Sequence, residues 1–457
     1  MKASCSLSRR IGFTFPLILG AWISGLHAQP GSLDTGFNAA STTGQVGFSV
    51  AVQSDGKVIA VGTFGVMRFL TDGTVDPAFQ SIPPGLSPFT GPGSGNGKVV
   101  LQADGRILLT GIFTNAAGMP LPNLVRLNAD GSVDSSFNLD AAVATGGRAL
   151  LLQPDGKVLT SGFVTRPGGE STGGLMRLHS DGSLDPSFDS SGAMTGDPSV
   201  VALASDGKIY FVDSTGVGRL NSDGSRDLSF NPEPDPYPLP AVIVVQRDGK
   251  VILGGYSDGP APPFRPVRRL LPDGTDDPDW IVPAFNGGDA VVYALLLQPD
   301  GKVLVGGNNL ESFNSVLNAN LGRLNSDGSV DTTFDTGYDL HYYSVEDMAL
   351  APDGKVIAAG MQVNRPDITQ APGVWRLNND TGLQPQLAIS FTMNEGVTLR
   401  LSGQSGATYR LEYREQLPDV GAWTPLTELT LSGSSATWQD TSSQNSRTRF
   451  YRAVALQ

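Results

Sequence analysis

Residues 150–159 have the sequence LLLQPDGKVL: an apolar run, a Pro-Asp-Gly turn and a second extended run. Pro154 presets the φ angle that the turn needs, and Gly156 can take the positive φ that closes it. The stretch therefore predicts a β-hairpin. The same pattern occurs seven times at intervals of 42 to 53 residues, and its turn aspartates are Asp55, Asp104, Asp155, Asp206, Asp248, Asp300 and Asp353.

A second motif alternates with the first, with the pattern Arg-Leu-x-x-Asp-Gly-Ser-x-Asp-x-x-Phe. It predicts another hairpin around its Asp-Gly turn, and its arginines are Arg68, Arg126, Arg177, Arg219, Arg269, Arg323 and Arg376. Two hairpins give four antiparallel strands in a unit of roughly 50 residues, which is the size of a propeller blade. The sequence therefore predicts an all-β protein with a seven-bladed β-propeller.

The two ends of the repeat region complement each other. The closing half of the second motif appears alone at Asp34 to Phe37, before any other part of the repeat. The last copy begins at Arg376 but has Gln384 where the others have their closing aspartate. We therefore predict a ring in which residues 31–37 form the outer strand of the last blade and Arg376 pairs with Asp34. Such a ring leaves no open sheet edge.

Both motifs resemble the delta-60 repeat family of bacterial exported and surface proteins. The resemblance covers about residues 31–383 and is carried by Gln-Pro-Asp-Gly-Lys-Val and Arg-Leu-Asn-x-Asp-Gly-Ser-x-Asp-x-x-Phe. It implies a repeat fold and an exported location. Members of that family share no known activity, so the resemblance implies no reaction or ligand.

The repeated polar residues are predicted to be structural. Each arginine lies eight residues before an aspartate, so a tight turn places the two opposite each other across the hairpin. Examples are Arg68 with Asp76 and Arg126 with Asp134. The basic residues after the first turn, such as Lys57 and Arg106, are expected to be solvated. We predict no metal, because an arginine stands where a calcium loop would begin with aspartate, although calcium at the repeat turns is the alternative. We also predict no cofactor, because the sequence has no phosphate-cradling glycine loop before a helix.

Residues 1–28 have the pattern of a secretory signal peptide: basic residues, then the apolar run Ile11 to Leu26, then a small residue at Ala28. The alternative is a membrane anchor. Cleavage near Ala28 would make the protein secreted or extracellular, or periplasmic. The 31 basic and 44 acidic side chains argue against nucleic-acid or membrane-surface partners, and the single cysteine rules out a disulfide framework. We expect a monomer without membrane insertion.

After Leu383 the repeat pattern ends. Six alternating stretches between Leu387 and Ala455, separated by Gly, Ser, Asp and Pro, predict a fibronectin-like β-sandwich over residues 384–457. Residues 409–413, 423–426 and 449–454 resemble a short sandwich domain at the C-termini of bacterial exported proteins. Trp423 and Trp438 are candidate sugar-stacking residues, although packing of their rings within the domain is the alternative.

The connections between hairpins vary, and they should gather at the end of the ring opposite the Asp-Gly turns. Variable loops on a rigid scaffold are typical binding sites. The propeller candidates for ligand binding are Tyr237, Phe264, Arg265, Tyr338, His341, Tyr342, Tyr343, Arg365 and Asp367. We predict a binding protein for a glycan or a protein at the cell surface. The alternatives are an enzyme acting on polysaccharide through carboxylates at the channel mouth, with unassigned catalytic residues, and a structural spacer.

Overall fold

The protein is described here by a computed structural model. The structure describes residues 29–80, 97–111, 123–140, 143–165, 171–233, 239–256, 266–281, 290–310, 312–313, 316–317, 320–336, 343–362, 372–379, 386–392, 396–402, 408–414, 424–430, 435–440 and 450–456. The predicted signal peptide, residues 1–28, lies outside these ranges. The all-β prediction is confirmed, since the only helix in the described ranges is a 3-10 turn at Ala40–Thr42. These ranges also hold no helix whose length and hydropathy would let it span a bilayer.

Seven three-stranded antiparallel sheets follow one another from Gly47 to Leu377, and in each the second strand lies between the first and the third. Sheets 1 to 4 contain β1 (Gly47–Val52), β2 (Val58–Gly62), β3 (Gly65–Phe69); β4 (Lys98–Leu101), β5 (Ile107–Thr110), β6 (Leu124–Leu127); β7 (Val143–Leu152), β8 (Val158–Thr165), β9 (Ser171–Leu178); and β10 (Val200–Leu203), β11 (Ile209–Asp213), β12 (Gly216–Leu220).

Sheets 5 to 7 contain β13 (Val242–Val245), β14 (Val251–Gly254), β15 (Val267–Leu270); β16 (Val291–Leu297), β17 (Val303–Asn308), β20 (Leu321–Leu324); and β21 (Tyr343–Leu350), β22 (Val356–Gln362), β23 (Val374–Leu377). A small hairpin of β18 (Ser312–Phe313) and β19 (Val316–Leu317) lies between β17 and β20 in the chain. The first Asp-Gly turn of each repeat joins the first strand of a sheet to the second.

The expectation of a fourth strand in every blade is wrong for the described sheets. The segment after the second Asp-Gly turn makes one bridge to the third strand, as Val133 does to Leu127, and does not continue as a strand. The reason is local: the Asp134 side chain accepts a hydrogen bond from the backbone N–H of Ser136, and the Asp134 carbonyl accepts one from Phe137. This turn bends the chain away from the ladder.

The hydrophobic core lies between neighbouring sheets. The second strands are short, almost entirely apolar runs, as expected for strands covered on both faces. One cluster joins Ile59 and Val61 of sheet 1 to Ile107 and Leu109 of sheet 2. The first strand of each sheet contacts the first strand of the next, and β21 of sheet 7 also contacts β1 of sheet 1.

The C-terminal segment forms two further three-stranded sheets. They are β24 (Gln386–Thr392), β25 (Gly396–Ser402) and β28 (Ser435–Asp440), and β27 (Thr424–Thr430), β26 (Thr408–Arg414) and β29 (Phe450–Leu456). Leu399 and Leu401 of one sheet share a buried cluster with Tyr409 and Leu411 of the other. The six strands lie where the alternating stretches of sequence place them.

Candidate functional site

Each repeat builds the same unit from an arginine, an aspartate, an aromatic ring and a second basic residue, and we call it the Arg–Asp unit. In sheet 2, Arg126 Nε donates to Asp134 Oδ2 at 2.8 Å, and its guanidinium lies 4.8 Å from the centre of the Phe137 ring. The two side chains that form the ion pair are almost fully buried. A buried arginine is tolerated here because its charge is paired and its flat face is covered by an aromatic ring.

The unit is present in all seven sheets, with Nε–Oδ2 distances of 2.7 to 2.8 Å. In sheet 7 its aspartate comes from the other end of the repeat region: Arg376 Nε donates to Asp34 Oδ2 at 2.7 Å and its guanidinium lies over Phe37. Leu33 forms an antiparallel bridge with Leu377 beside them.

We expected the basic residues after the first turn to be solvated, but the structure places each of them in an ion pair. Each one reaches the aspartate of its own Arg–Asp unit because it directly precedes the central strand, which pairs with the third strand that carries the arginine. Lys208 Nζ lies 2.6 Å from Asp227 Oδ2, and Arg106 Nε lies 3.3 Å from Asp134 Oδ2. Lys57 is farther from its carboxylate, at 3.5 Å. Every unit therefore has two cations on one carboxylate.

These contacts keep the carboxylates ionised. A hydrogen bond from the Ser136 hydroxyl, with others from the Ser136 N–H and Arg126, outweighs burial and lowers the pKa of Asp134 to about 2. At Asp34, burial raises the pKa, but hydrogen bonds from Lys355, Gly36 and Arg376 outweigh that effect and bring the pKa below its ordinary value. A permanently paired carboxylate is suited to a structural role.

The same arginines join neighbouring sheets. Nη1 of Arg126 donates to the carbonyl of Ser180 in sheet 3. Nη1 of Arg376 donates to the carbonyl of Thr71 in sheet 1 at 2.6 Å. The turn glycines complete the junction: Gly131 has a φ of 87°, and a Cβ atom there would lie 2.6 Å from the carbonyl oxygen of Gln80. The glycine is therefore required both by its conformation and by the close approach of the preceding repeat.

Three of the first strands have irregular pairing near their beginnings. The pairing register of β1, β16 and β21 shifts at a β-bulge, and the residues in the shifted positions are Phe48, Tyr293 and Glu346. A bulge redirects a side chain out of the regular alternation, and such irregularities are frequent next to functional sites. The strands begin where the variable connections join the sheets, so these residues lie at the variable end of the molecule.

The position that follows the bulge in β1 and β21 is polar in three neighbouring sheets. Asp347 follows Glu346, and the equivalent positions of sheets 1 and 2 are Ser49 and Lys98. Ser49 Oγ donates to Asp347 Oδ2 at 2.6 Å, and Lys98 Nζ lies 3.9 Å from the same oxygen. We call Ser49, Lys98, Tyr293, Glu346 and Asp347 the bulge cluster.

The bulge cluster is the one place in the described chain where the pKa of a carboxyl is shifted upward. Burial raises the pKa of Glu346, and the charge of Asp347 adds to it, while the hydroxyl of Ser344 and the charge of Lys98 oppose it. Ser344 Oγ donates to Glu346 Oε1 at 2.8 Å. Burial, together with the charge of Glu346 and the proximity of Tyr256, raises the pKa of Tyr293. Upward shifts of this kind are typical of binding and catalytic sites.

The sequence offered a signal for this cluster that we did not use. Six residues before the aspartate of the first turn, four repeats have an apolar residue: Ala149, Val200, Val242 and Ala294. The other three repeats have Ser49, Lys98 and Asp347 there. The polar residues fall in sheets 7, 1 and 2, where β21 contacts β1 and β1 contacts β4. A comparison of the repeats position by position would have found them as departures from an apolar pattern.

Most of the sequence-predicted ligand residues lie outside the described residues: Tyr237, Phe264, Arg265, Tyr338, His341, Tyr342, Arg365, Asp367 and Trp423. Tyr343 begins β21, where its backbone pairs with Gln362, three residues before Glu346. Trp438 lies opposite Leu399 and packs against the C-terminal cluster, as the packing alternative requires.

The repeated sheets and their Arg–Asp units define a β-propeller repeat protein. Residues 53–79, 102–137, 153–188 and 298–334 match the model of a family described as a domain of unknown function (DUF5122) with a β-propeller fold. These stretches are four of the repeats identified above.

Several solved structures are similar to the chain at low identity. A catalytically inactive virginiamycin B lyase from Staphylococcus aureus is 14% identical, with 74% of this chain and 96% of that chain covered and a TM-score of 0.44. The extracellular domain of a hybrid two-component system from B. thetaiotaomicron is 12% identical, with 93% of this chain and 59% of that chain covered and a TM-score of 0.46. A gluconolactonase from Xanthomonas campestris is 14% identical, with coverages of 78% and 93% and a TM-score of 0.36. A comparison with curated protein sequences finds no significant match.

Proposed function

We propose that the seven sheets are the blades of a closed propeller of delta-60 repeats over residues 29–383, followed by a fibronectin-like β-sandwich over residues 384–457. Support for the ring comes from sheet 7, whose Arg376 pairs with Asp34 and also donates to Thr71 of sheet 1. We further propose that residues 1–28 are removed as a signal peptide, so that the protein works outside the inner membrane as a monomer.

We propose that the protein binds a glycan at the variable end of the propeller, with the bulge cluster as the centre of the site. The observation that carries this proposal is the pair of adjacent carboxyl groups held by hydroxyl groups: Ser49 Oγ donates to Asp347 Oδ2 at 2.6 Å, and Ser344 Oγ donates to Glu346 Oε1 at 2.8 Å. The raised pKa values of Glu346 and Tyr293 agree with it. Carboxyl, carboxylate, phenol and ammonium groups together offer donors and acceptors at close spacing, which suits a ligand rich in hydroxyl groups. The candidate residues of segment 338–343 lead directly into the same strand.

Retention on a panel of soluble polysaccharides, measured by affinity electrophoresis, tests the proposal. We expect the protein to be retarded by at least one polysaccharide and the double variant Glu346→Gln with Tyr293→Phe to lose about tenfold in affinity, since one or two hydrogen bonds are removed. Asp353→Asn is the matched control, because it changes an exposed carboxylate at the first turn of the same sheet. Equal retardation of all variants, or of none, would contradict the assignment.

A second function is favoured by one observation, the contrast between the two adjacent carboxyl groups. Glu346 holds its proton to higher pH than an ordinary glutamate, whereas Asp347 accepts hydrogen bonds from Ser49 Oγ and from the N–H groups of Val50 and Met348. A carboxyl whose pKa is raised can serve as a general acid in cleavage of a polysaccharide.

Release of new sugar ends from the retained polysaccharide distinguishes binding from catalysis. If Glu346 is a general acid, Glu346→Gln will bind the polysaccharide but release no ends. The rate of the unmodified protein will also fall as the pH rises through the raised pKa of Glu346. A protein that binds without releasing ends at any pH is a binding protein only.

A further inference from the structure

Sheet 3 differs from the other six propeller sheets in the length of its third strand. β9 has eight residues, whereas the third strands of the other sheets have four or five. Its pairing with β8 continues without a shift in register from Leu178 to Ser171. β9 therefore has the longest outer edge among the seven third strands that the structure describes.

The chain that follows β9 covers this edge only in part. The Arg177 carbonyl faces outward, since it accepts a hydrogen bond from the Asp185 N–H at 2.9 Å. Alternate residues of an antiparallel strand face the same neighbour, so Leu175 and Gly173 face outward as well. Ser190 Oγ accepts from the Leu175 N–H at 3.2 Å and donates to the Leu175 carbonyl at 2.8 Å. No described residue makes a hydrogen bond to the outward N–H and C=O of Gly173, so one main-chain donor and one acceptor are left over.

A cavity of about 320 Å³ lies against the uncovered part of the edge, and we call it the β9 cavity. Gly173 lines it and is partly exposed. Because glycine has no side chain, the exposed surface of Gly173 belongs to its main chain. The other walls are mainly apolar, with contributions from Val164, Leu175, Met176, Leu184, Pro186 and Phe188. The cavity is large enough for one large apolar side chain, and main-chain hydrogen-bonding groups lie at its edge.

The charged residues of the β9 cavity are acidic. Asp185 is paired with Arg177 and Lys157, whereas Asp189 is exposed and adds a negative charge at the rim. No lysine or arginine is among the described residues that line the cavity. The charges therefore disfavour an acidic partner and favour a partner with a basic residue near its apolar one.

An aromatic ring lies beside the same edge. Phe163 of β8 pairs with Gly173 and is 46% exposed. Its ring approaches the main chain of β9, since a Cβ atom on Gly173 would lie 3.0 Å from Phe163 Cε1. A further strand beside β9 would contact this ring, and ring contacts across neighbouring strands are stabilising.

We propose that the outer edge of β9 binds an extended peptide segment of a partner protein, which adds to sheet 3 as a fourth strand. Its main chain would exchange hydrogen bonds with Gly173, one apolar side chain would enter the β9 cavity, and a basic residue would lie near Asp189. In this mode of recognition the main-chain hydrogen bonds supply affinity and the pocket selects the side chain. The site contains no residue of the bulge cluster, so it does not depend on the proposed glycan site.

A set of peptide probes tests the proposal. The probes are fluorescein-labelled peptides Lys-Thr-Val-X-Val-Thr-Lys, in which X is Leu, Met, Phe or Asp, and their binding to the purified protein is followed by fluorescence anisotropy. We expect saturable binding when X is apolar and about tenfold weaker binding when X is aspartate. Methylation of one backbone nitrogen at a time should weaken binding at every second residue, because only alternate amides of an added strand face β9.

Gly173→Pro and Gly173→Ala are a matched pair of variants. Proline removes the outward N–H, whereas alanine keeps it, and both place a Cβ atom beside the Phe163 ring. We expect Gly173→Pro to lower the affinity for the apolar probes about tenfold and Gly173→Ala to change it less than about threefold. Thr172→Phe should also lower it about tenfold, because Thr172 lines the cavity and the larger ring would fill it. This second variant keeps the test valid if Gly173→Pro does not fold.

Several outcomes would overturn the proposal. They are the absence of saturable binding of every apolar probe at millimolar concentration, unchanged affinity in Thr172→Phe, and loss of binding on methylation without the alternation. A dimer of the unmodified protein that Gly173→Pro dissociates, measured by light scattering, would assign the edge to a second copy of the chain instead. Glu346→Gln should leave the affinity for the peptides unchanged, which separates this edge from the bulge cluster.

Discussion

The Arg–Asp units and the bulge cluster are built on the same seven sheets but obey opposite rules. Each Arg–Asp unit repeats its partners from sheet to sheet, down to a lowered pKa on the carboxylate and a ring over the guanidinium. The bulge cluster occurs once, spans four neighbouring sheets and contains a carboxyl with a raised pKa. Its carboxylate receives a single distant cation, Lys98, where an Arg–Asp carboxylate receives two close ones.

The difference shows how a repeat protein separates stability from function. A residue type that recurs in every sheet solves a packing problem that every sheet has. A polar residue that replaces an apolar one in only some sheets is not required for packing, so its cost in stability indicates a functional role. Four predictions test this division.

The largest effect is expected from the segment that completes the seventh Arg–Asp unit. Deleting residues 29–37 removes Asp34, the buried ring of Phe37 and the Leu33 bridge, and leaves Arg376 without its carboxylate. We expect a loss of about 5 kcal/mol in the free energy of unfolding, which is typical of losing a buried pair with a buried ring. Urea unfolding followed by tryptophan fluorescence measures it. An unchanged urea midpoint would mean that the seventh unit is not part of the cooperative structure.

Breaking one Arg–Asp unit within a sheet should lower the free energy of unfolding by a smaller amount than that deletion. Arg126→Leu leaves Asp134 buried beside only one cation, Arg106, and also removes the hydrogen bond to sheet 3. We expect a loss of about 3 kcal/mol. The double variant Arg126→Leu with Asp134→Leu should recover most of it, because no uncompensated charge is left behind. Asp104→Asn, at an exposed turn of the same sheet, serves as the control and should change stability by less than about 0.5 kcal/mol.

Acid should weaken the scaffold only at low pH, after Glu346 has already taken up its proton. The carboxylates of the Arg–Asp units have pKa values below the ordinary 3.8, and that of Asp134 is about 2. Because the unfolded chain binds these protons more readily, the stabilisation is complete above pH 3.8 and is lost as the pH falls toward 2 and below. Unfolding midpoints measured from pH 5 to about pH 2 should fall steeply, and less steeply in Asp134→Leu. A flat profile would show that the pairs contribute little net stability.

The smallest effect is expected in the bulge cluster. Glu346 has a raised pKa, so its charged form is disfavoured in the folded state at neutral pH, and Glu346→Gln should increase stability slightly, by about 0.5 kcal/mol. The same variant should lose affinity for the glycan ligand. Thermal unfolding at pH 7 and at pH 4 checks the sign, since the gain should shrink at the lower pH where Glu346 is already protonated. A clear loss of stability would place Glu346 with the scaffold.

Much of the scaffold could be predicted from single residues in a fixed pattern. The turns at Asp155-Gly156 and Asp130-Gly131 place two hairpins because glycine alone accepts the turn conformation without strain. The spacing of eight residues places Arg126 opposite Asp134 for the same geometric reason. The fourth strand could not be judged in this way, because the turn built by the Asp134 side chain competes with the ladder over only a few residues.

The bulge cluster was harder to predict because it depends on register. A bulge at Glu346 moves one side chain out of the alternation, and no single-residue preference distinguishes a bulged strand from a regular one. The role of Lys208 was missed for a related reason: it lies 19 residues before Asp227 in the sequence, and only the pairing of β11 with β12 brings the two together. In both cases the decisive contact is between segments that the sequence alone does not align.

The pair between Arg376 and Asp34 also affects when the repeat region can complete its folding. A ribosome delivers Asp34 more than three hundred residues before Arg376. In every other Arg–Asp unit the arginine and the aspartate can pair as soon as their own hairpin is made, since they are eight residues apart. The seventh must close a loop of 342 residues in a chain of 457, and such distant contacts make folding slow. Until then Asp34 has no partner, so we expect its pairing with Arg376 of the last repeat to be a late step of folding.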